Sequence, residues 1–161
     1  MKMPVAAFLC ASGTLACGLW LWAQPGDPVV PYPEGYRSWM HVKSTLVGPQ
    51  STAFASNGGI HHFYANEKAV EGYRGGSFPD GSVLIDDLLE AKEANGVTSA
   101  GPRRRLAVMV KNAERYRETG GWGFEIFKGD DHTASLTPQA RADCFACHKN
   151  GRDSVFSELP K

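Results

Sequence analysis

Cys144-Phe145-Ala146-Cys147-His148 holds the densest chemistry in the chain. Two thiols three positions apart, followed at once by an imidazole, form the C-x-x-C-H spacing at which haem is attached covalently. Thiols one helical turn apart can add across the two vinyl groups on one porphyrin edge. The histidine is then carried beneath the ring, where a ring nitrogen can bind iron. Thr137-Pro138 reads as an N-cap followed by proline at the first helical position, and Asn150-Gly151 as a stop. The spacing therefore predicts a helix over about 138–149 carrying one haem c. A thioredoxin-like pair would open a βαβ unit, and a structural zinc site would need two more ligands at suitable spacing. The sequence shows neither pattern.

Only 13 residues follow His148 in a chain of 161, and none is methionine. A second axial ligand would have to come from upstream: Met40, Met109, His41, His61, His62 or His132. Five-coordinate iron with one open face is the competing expectation, and it favours binding a small ligand over simple electron transfer.

The surroundings fit an exported single domain. Seventeen basic residues balance seventeen acidic ones, so the charge footprint of a nucleic-acid binder is missing. Apolar residues make up 42% and charged residues 21%, the balance of a folded rather than a disordered chain. Lys2 precedes a stretch without charge from Met3 to Gln24, which reads as a secretory signal over residues 1–23 with cleavage near Ala23. The alternative is a retained membrane anchor through residues 4–23. Periplasmic export removes Cys10 and Cys17, leaving Cys144 and Cys147 in one domain over 24–161.

Several elements must position the motif. Tyr36 to Ser44 reads as a short helix running into a strand, and Gln50 to Gly59 as a loop. Gly59 to Ala65 alternates as a strand, with His61 and Phe63 on one face. Asn66-Glu67 opens a short helix closed by Gly75-Gly76, and Phe78-Pro79-Asp80-Gly81 is a turn into a strand over 82–89. Residues 90–102 read as a loop. Arg103-Arg104-Arg105 reads as a solvated charge run, with a clamp on haem propionates as the alternative. Strands are expected over 106–110 and 122–128, with Trp122 and Phe124 as core. The fold class is α+β: a mainly antiparallel sheet with short helices and a C-terminal haem-attachment helix.

Six ordered segments carry a resemblance: 32–44, 59–66, 72–90, 106–112, 119–127 and CFACH at 144–148. Together the chain resembles the cytochrome P460 / cytochrome c′-beta family. The resemblance implies a mostly antiparallel fold, commonly a homodimer, with one covalent haem, a proximal histidine and an open distal side. It also implies two occupations. P460 proteins oxidise hydroxylamine, whereas c′-beta proteins bind nitric oxide without evident turnover. P460 proteins carry a lysine bonded to the porphyrin on the strand after the F-x-D-G turn. That position falls at Asp86 here, and no lysine occurs between Ala69 and Ala91. Lys43, Lys68, Lys92 and Lys111 lie elsewhere, so the c′-beta-like reading is favoured.

Cys144 and Cys147 are expected as thioether anchors and His148 as the iron ligand. On the distal side, Phe63 is the candidate to cap the pocket, His61 to hydrogen-bond a bound ligand, and Asp86 to supply a proton. The bland alternatives are Phe63 as ordinary core, with His61 and Asp86 as surface groups. The expected activity is binding of nitric oxide or a similar small ligand. Hydroxylamine oxidation and electron transfer to a partner cytochrome are the alternatives.

Overall fold

Five strands pair in the order in which they occur along the chain, each antiparallel to its neighbour. The computed structural model describes residues 29–160, and the expected export segment at 1–23 lies outside them. The elements are β1 Met40–Val47, α1 Phe54–Asn57, β2 Gly59–Ala65, α2 Glu67–Gly75, β3 Val83–Ala94, β4 Val97–Lys111, β5 Trp122–Lys128 and α3 Pro138–His148. Single 3-10 turns occupy Tyr36–Ser38 and Arg117–Thr119. The α+β class holds. Among the described residues, no helix is long and apolar enough to cross a membrane.

Local chemistry sets the helix ends. The Asn66 side chain accepts the backbone N–H of Ala69 at 2.9 Å and that of Val83 at 3.0 Å, capping α2 and tying it to β3. Gly76, at φ 88°, ends α2 in the left-handed region that glycine enters without a Cβ penalty. Thr137 accepts the N–H of Ala140 at 3.2 Å, with Pro138 beside it, and this fixes the start of α3.

The two sheet faces bury separate clusters. Ala65, Leu84, Trp122 and Phe124 pack with Ala69, Val70 and Tyr73 of α2 on one face. Ile85, Leu106, Val108 and Phe127 pack with Tyr36 and Tyr116 on the other. Each Val, Leu, Ile or Phe among them, fully buried, contributes about 1.5–3 kcal/mol.

Two sequence expectations need correction. Residues 90–102 are not a loop: β3 and β4 continue as a hairpin whose two-residue turn is Asn95-Gly96. Both turn residues have positive φ, 53° and 77°, the pairing that suits a tight hairpin turn. The expected loop at 50–59 likewise contains the single turn of α1.

The arginine run is not a solvated stripe. Leu88 pairs with Arg105 but Leu89 with Arg103, so Arg104 is the extra residue of a β-bulge. The bulge sends Arg103 and Arg105 to opposite faces although they lie two apart. Arg103 donates from Nε to buried Asp87 at 2.8 Å and from Nη2 to the Tyr36 hydroxyl at 2.8 Å. Tyr36 in turn donates to Asp87 at 2.5 Å. Burial pushes the Asp87 carboxyl up, but the Tyr36, Arg103 and Arg37 donors outweigh it and hold it below the usual range.

Candidate haem site

The C-terminal end of α3 carries all three motif side chains. Cys144 is half-buried, Cys147 is exposed, and both thiols are free. Three positions apart on a helix, they project from neighbouring points on one side. Burial, and then Asp143, push the Cys144 thiol up from its ordinary value. His148 Nδ1–H donates to the Ser154 carbonyl at 2.9 Å. This bond fixes the tautomer and leaves the Nε2 lone pair for a metal. The rings of Phe124 and Phe156 flank the imidazole, each with its centroid 5.3 Å away.

Between α3 and the sheet lies a cavity of about 540 Å³, reached by Cys144, Cys147 and His148. One rung of the sheet crosses the opposite wall. Lys43 pairs with Phe63, Phe63 with Asp86, Asp86 with Ala107 and Ala107 with Ile126, and all five line the cavity. Directly paired residues share a face, so these side chains form a row across all five strands. The sequence placed Lys43 away from the site, because strand order cannot be read from local alternation. The structure puts its Nζ 5.2 Å from the Phe63 ring centroid.

Of the distal candidates, Phe63 and Asp86 line the cavity. His61 is buried one rung away, stacked at 10° to the Phe63 ring with centroids 6.0 Å apart. Its ring nitrogens meet Asp86 Oδ1 and the Asn57 carbonyl, each at 2.8 Å. The hydrogen bond to Asp86 raises its pKa; burial opposes this and the Asn57 carbonyl adds to it. Arg105 also lines the cavity, with Nη2 3.8 Å from Asp86 and hydrogen bonds to Ser56 and Asn57 at 3.1 and 2.7 Å. Arg104 donates to the Gly58 carbonyl, so the arginines and His61 together hold the 56–58 rim.

Sequence reasoning missed Glu125, a buried carboxylate on β5. Its Oε1 accepts the backbone N–H groups of Ile126, Ser135 and Leu136 at 2.8–3.0 Å, and its Oε2 accepts Arg141 of α3 at 2.9 Å. A lone acid inside the apolar run WGFEIFK was the available signal. Burial raises its pKa, but Arg141 and the three amides outweigh this and hold it low. Glu125 thus seats α3 against β5.

These residues fit a covalent haem. The volume falls within the roughly 300–1,000 Å³ of small-molecule and cofactor sites. Two free thiols and a tautomer-fixed imidazole reach the same cavity. Arg105 has a buried Nε–H without an acceptor among the described residues, a donor that a propionate on the cofactor can use. Of the six upstream candidates for a second axial ligand, Met109 is the one that lines the cavity. His41 and His62 instead meet Ser44 Oγ at 2.9 and 2.6 Å, and His132 stacks on Tyr32 with centroids 3.5 Å apart.

A comparison with curated proteins finds no match. The family model described as cytochrome P460 matches residues 33–157, a span that runs from the first turn through the attachment helix to Ser157 at the cavity, and the protein belongs to that family.

Proposed function

We propose that the chain is an exported monohaem c-type cytochrome that binds nitric oxide or a similar small ligand on the side of the iron facing Phe63. Family membership carries a covalently attached c-type haem, and the sequence contains one C-x-x-C-H motif. The observation that supports the reading is the wall opposite His148: among the described residues it presents the Phe63 ring and no histidine, with Met109 as its one candidate ligand. Bound there, haem supplies an iron with a coordination position for a diatomic or small nitrogenous ligand.

The chain's own residues divide the work. Cys144 and Cys147 hold the group, and His148 is its proximal ligand. Phe63 excludes water from the facing side. Nitric oxide, small and nearly apolar, loses little by entering such a wall, whereas water loses hydrogen bonds. Lys43 and Arg105 put two cations at the cavity edge, and Asp86 lies 3.8 Å from the second of them.

A second reading, hydroxylamine oxidation, draws support from Asp86. Its Oδ1 is engaged by His61 and its Oδ2 lies 3.8 Å from Arg105 Nη2, so a carboxylate acceptor for a ligand proton is held at the cavity wall. A lysine cross-link from residues 69–91 is ruled out by composition.

The absorption spectrum of the ferrous protein, with and without nitric oxide, tests the proposal. A high-spin five-coordinate spectrum that converts fully with nitric oxide is expected. A low-spin six-coordinate spectrum would replace the reading with electron transfer through Met109, and steady hydroxylamine turnover would replace it with the oxidase. The proposal includes periplasmic delivery through residues 1–23, tested by cell fractionation. It also includes a homodimer, tested by light scattering. Exposed Met40, Leu46 and Phe54 around edge strand β1 support self-association.

A further inference from the structure

The loop that follows α3 has an unusual backbone. Asp153 and Ser154 both adopt positive φ, 45° and 64°, in the left-handed region that non-glycine residues avoid. Such a pair of residues persists where its surroundings over-determine it. Ser154 is the residue whose carbonyl receives the His148 Nδ1–H.

The Asp153 carboxylate supplies the constraint. Its Oδ1 accepts Lys111 Nζ at 2.7 Å and Trp122 Nε1 at 3.4 Å, and its Oδ2 accepts the Phe78 backbone N–H at 2.8 Å. The three donors come from the end of β4, the start of β5 and the turn before β3. Burial raises the Asp153 pKa, but these donors, led by Lys111, hold the carboxyl below its usual range. On either side of the pair, Ser154 N–H donates to the Gly151 carbonyl at 3.1 Å and Val155 N–H to the Arg152 carbonyl at 3.0 Å. Val155 is then buried in the core.

We infer that Asp153 is a positioning residue for the proximal ligand: its clamp holds the left-handed turn that aims the Ser154 carbonyl at His148 Nδ1–H. The inference rests on the reading of His148 as the iron ligand. A carbonyl acceptor on Nδ1–H raises the basicity of the imidazole and fixes its ring plane. The clamp also ties that ligand to β4, whose Ala107 and Met109 line the cavity wall. Nothing in Asp153 touches the imidazole; it acts through the backbone of its neighbour.

The experiment reads the iron–histidine bond in the holoprotein. Resonance Raman spectra of the ferrous form and reduction potentials are measured for the parent, Asp153→Ala, Asp153→Asn and Lys111→Met. With Asp153→Ala the iron–histidine stretch shifts to lower frequency and broadens, and the potential rises, because the imidazole loses electron density. Asp153→Asn, which keeps an acceptor for the Phe78 N–H, falls between Asp153→Ala and the parent. Lys111→Met leaves the carboxylate in place and gives a smaller shift in the same direction. An Asp153→Ala protein with the parent's stretch and potential overturns the inference. If that variant fails to take up haem, an unchanged Lys111→Met spectrum overturns it instead. A parent spectrum without an iron–histidine band that responds to isotopic labelling of histidine would sink the His148 reading itself, a separate failure.

Discussion

His61, buried, and Asp86, half-buried, pair at 2.8 Å through Nδ1, while the Nε2 of the same ring meets the Asn57 carbonyl at 2.8 Å. A carbonyl oxygen only accepts, so Nε2 carries a proton. The carboxylate at the other nitrogen favours a second proton on Nδ1, so the His61 pKa is raised. His61 stands one rung from Phe63, and Asp86, which pairs with Phe63 and lines the cavity, lies between it and the site. His61 therefore bears on the site through Asp86, holding Oδ1 while Oδ2 lies 3.8 Å from Arg105 Nη2.

Substituting Asp86→Asn should lower the His61 pKa towards the ordinary value near 6.5. Because the folded value is raised, the pair's stabilisation is fully present below about pH 6.5 and is lost as pH rises through the folded pKa. The parent's denaturation midpoint should therefore fall across that interval, and the variant's should stay flatter. Histidine NMR titration together with urea melts between pH 5 and 9 reads both. An unshifted His61 resonance in the variant would contradict the pairing.

Glu125 should behave with the opposite sign. Its folded pKa lies below the ordinary value, so its contribution is present above the unfolded pKa of about 4.5 and disappears as pH falls through the folded value. Glu125→Ala, which strips a buried partner from Arg141 and three amides, should cost roughly 3–5 kcal/mol in urea unfolding. Glu125→Gln keeps the backbone acceptor and should cost less.

Phe63→Ala should open the wall opposite His148. Phe63 is half-buried, so the stability loss should stay below the ~3–5 kcal/mol of a fully buried Phe→Ala change. Carbon monoxide association, followed by flash photolysis, should quicken, and water should be admitted to the ferric site. Unchanged association kinetics would remove Phe63 from the ligand's path.

The thiols can be separated on a denaturing gel stained for haem. Cys144→Ala with Cys147→Ala should abolish covalent staining, and each single change should weaken it. His148→Ala should leave some staining but alter the spectrum, since the thioethers and the iron bond are made by different side chains.

Gly96→Ala isolates a backbone cost. A Cβ there meets open space, yet φ is 77°, so the hairpin should lose roughly 1–2 kcal/mol from conformation alone. The absorption spectrum of the holoprotein should not move, because residues 90–100 are all solvent-exposed and none lines the cavity.

Features with local causes were legible in the sequence. The strands at 59–65 and 122–128 follow their alternation, and α2 and α3 begin at their capping residues. The attachment motif needs no partner to be recognised. What escaped depends on pairing between strands. Asp86 meets His61 because β2 and β3 are in register, and Lys43 joins them through a third strand. Arg103 and Arg105 part company at a bulge that composition does not announce. Asn95-Gly96 was a local signal that was overridden by the polar, charged residues around it. The two left-handed residues after α3 carry no glycine to mark them.

The meander has a consequence for assembly. Every strand finds its mate next door in sequence, so the sheet can zip up from short loops with little entropy to overcome. The covalent handle sits on α3, which follows all five strands in the chain. Biogenesis can thus run as a receptacle built first and a loaded latch swung shut upon it, rather than as a chain that condenses around its pigment.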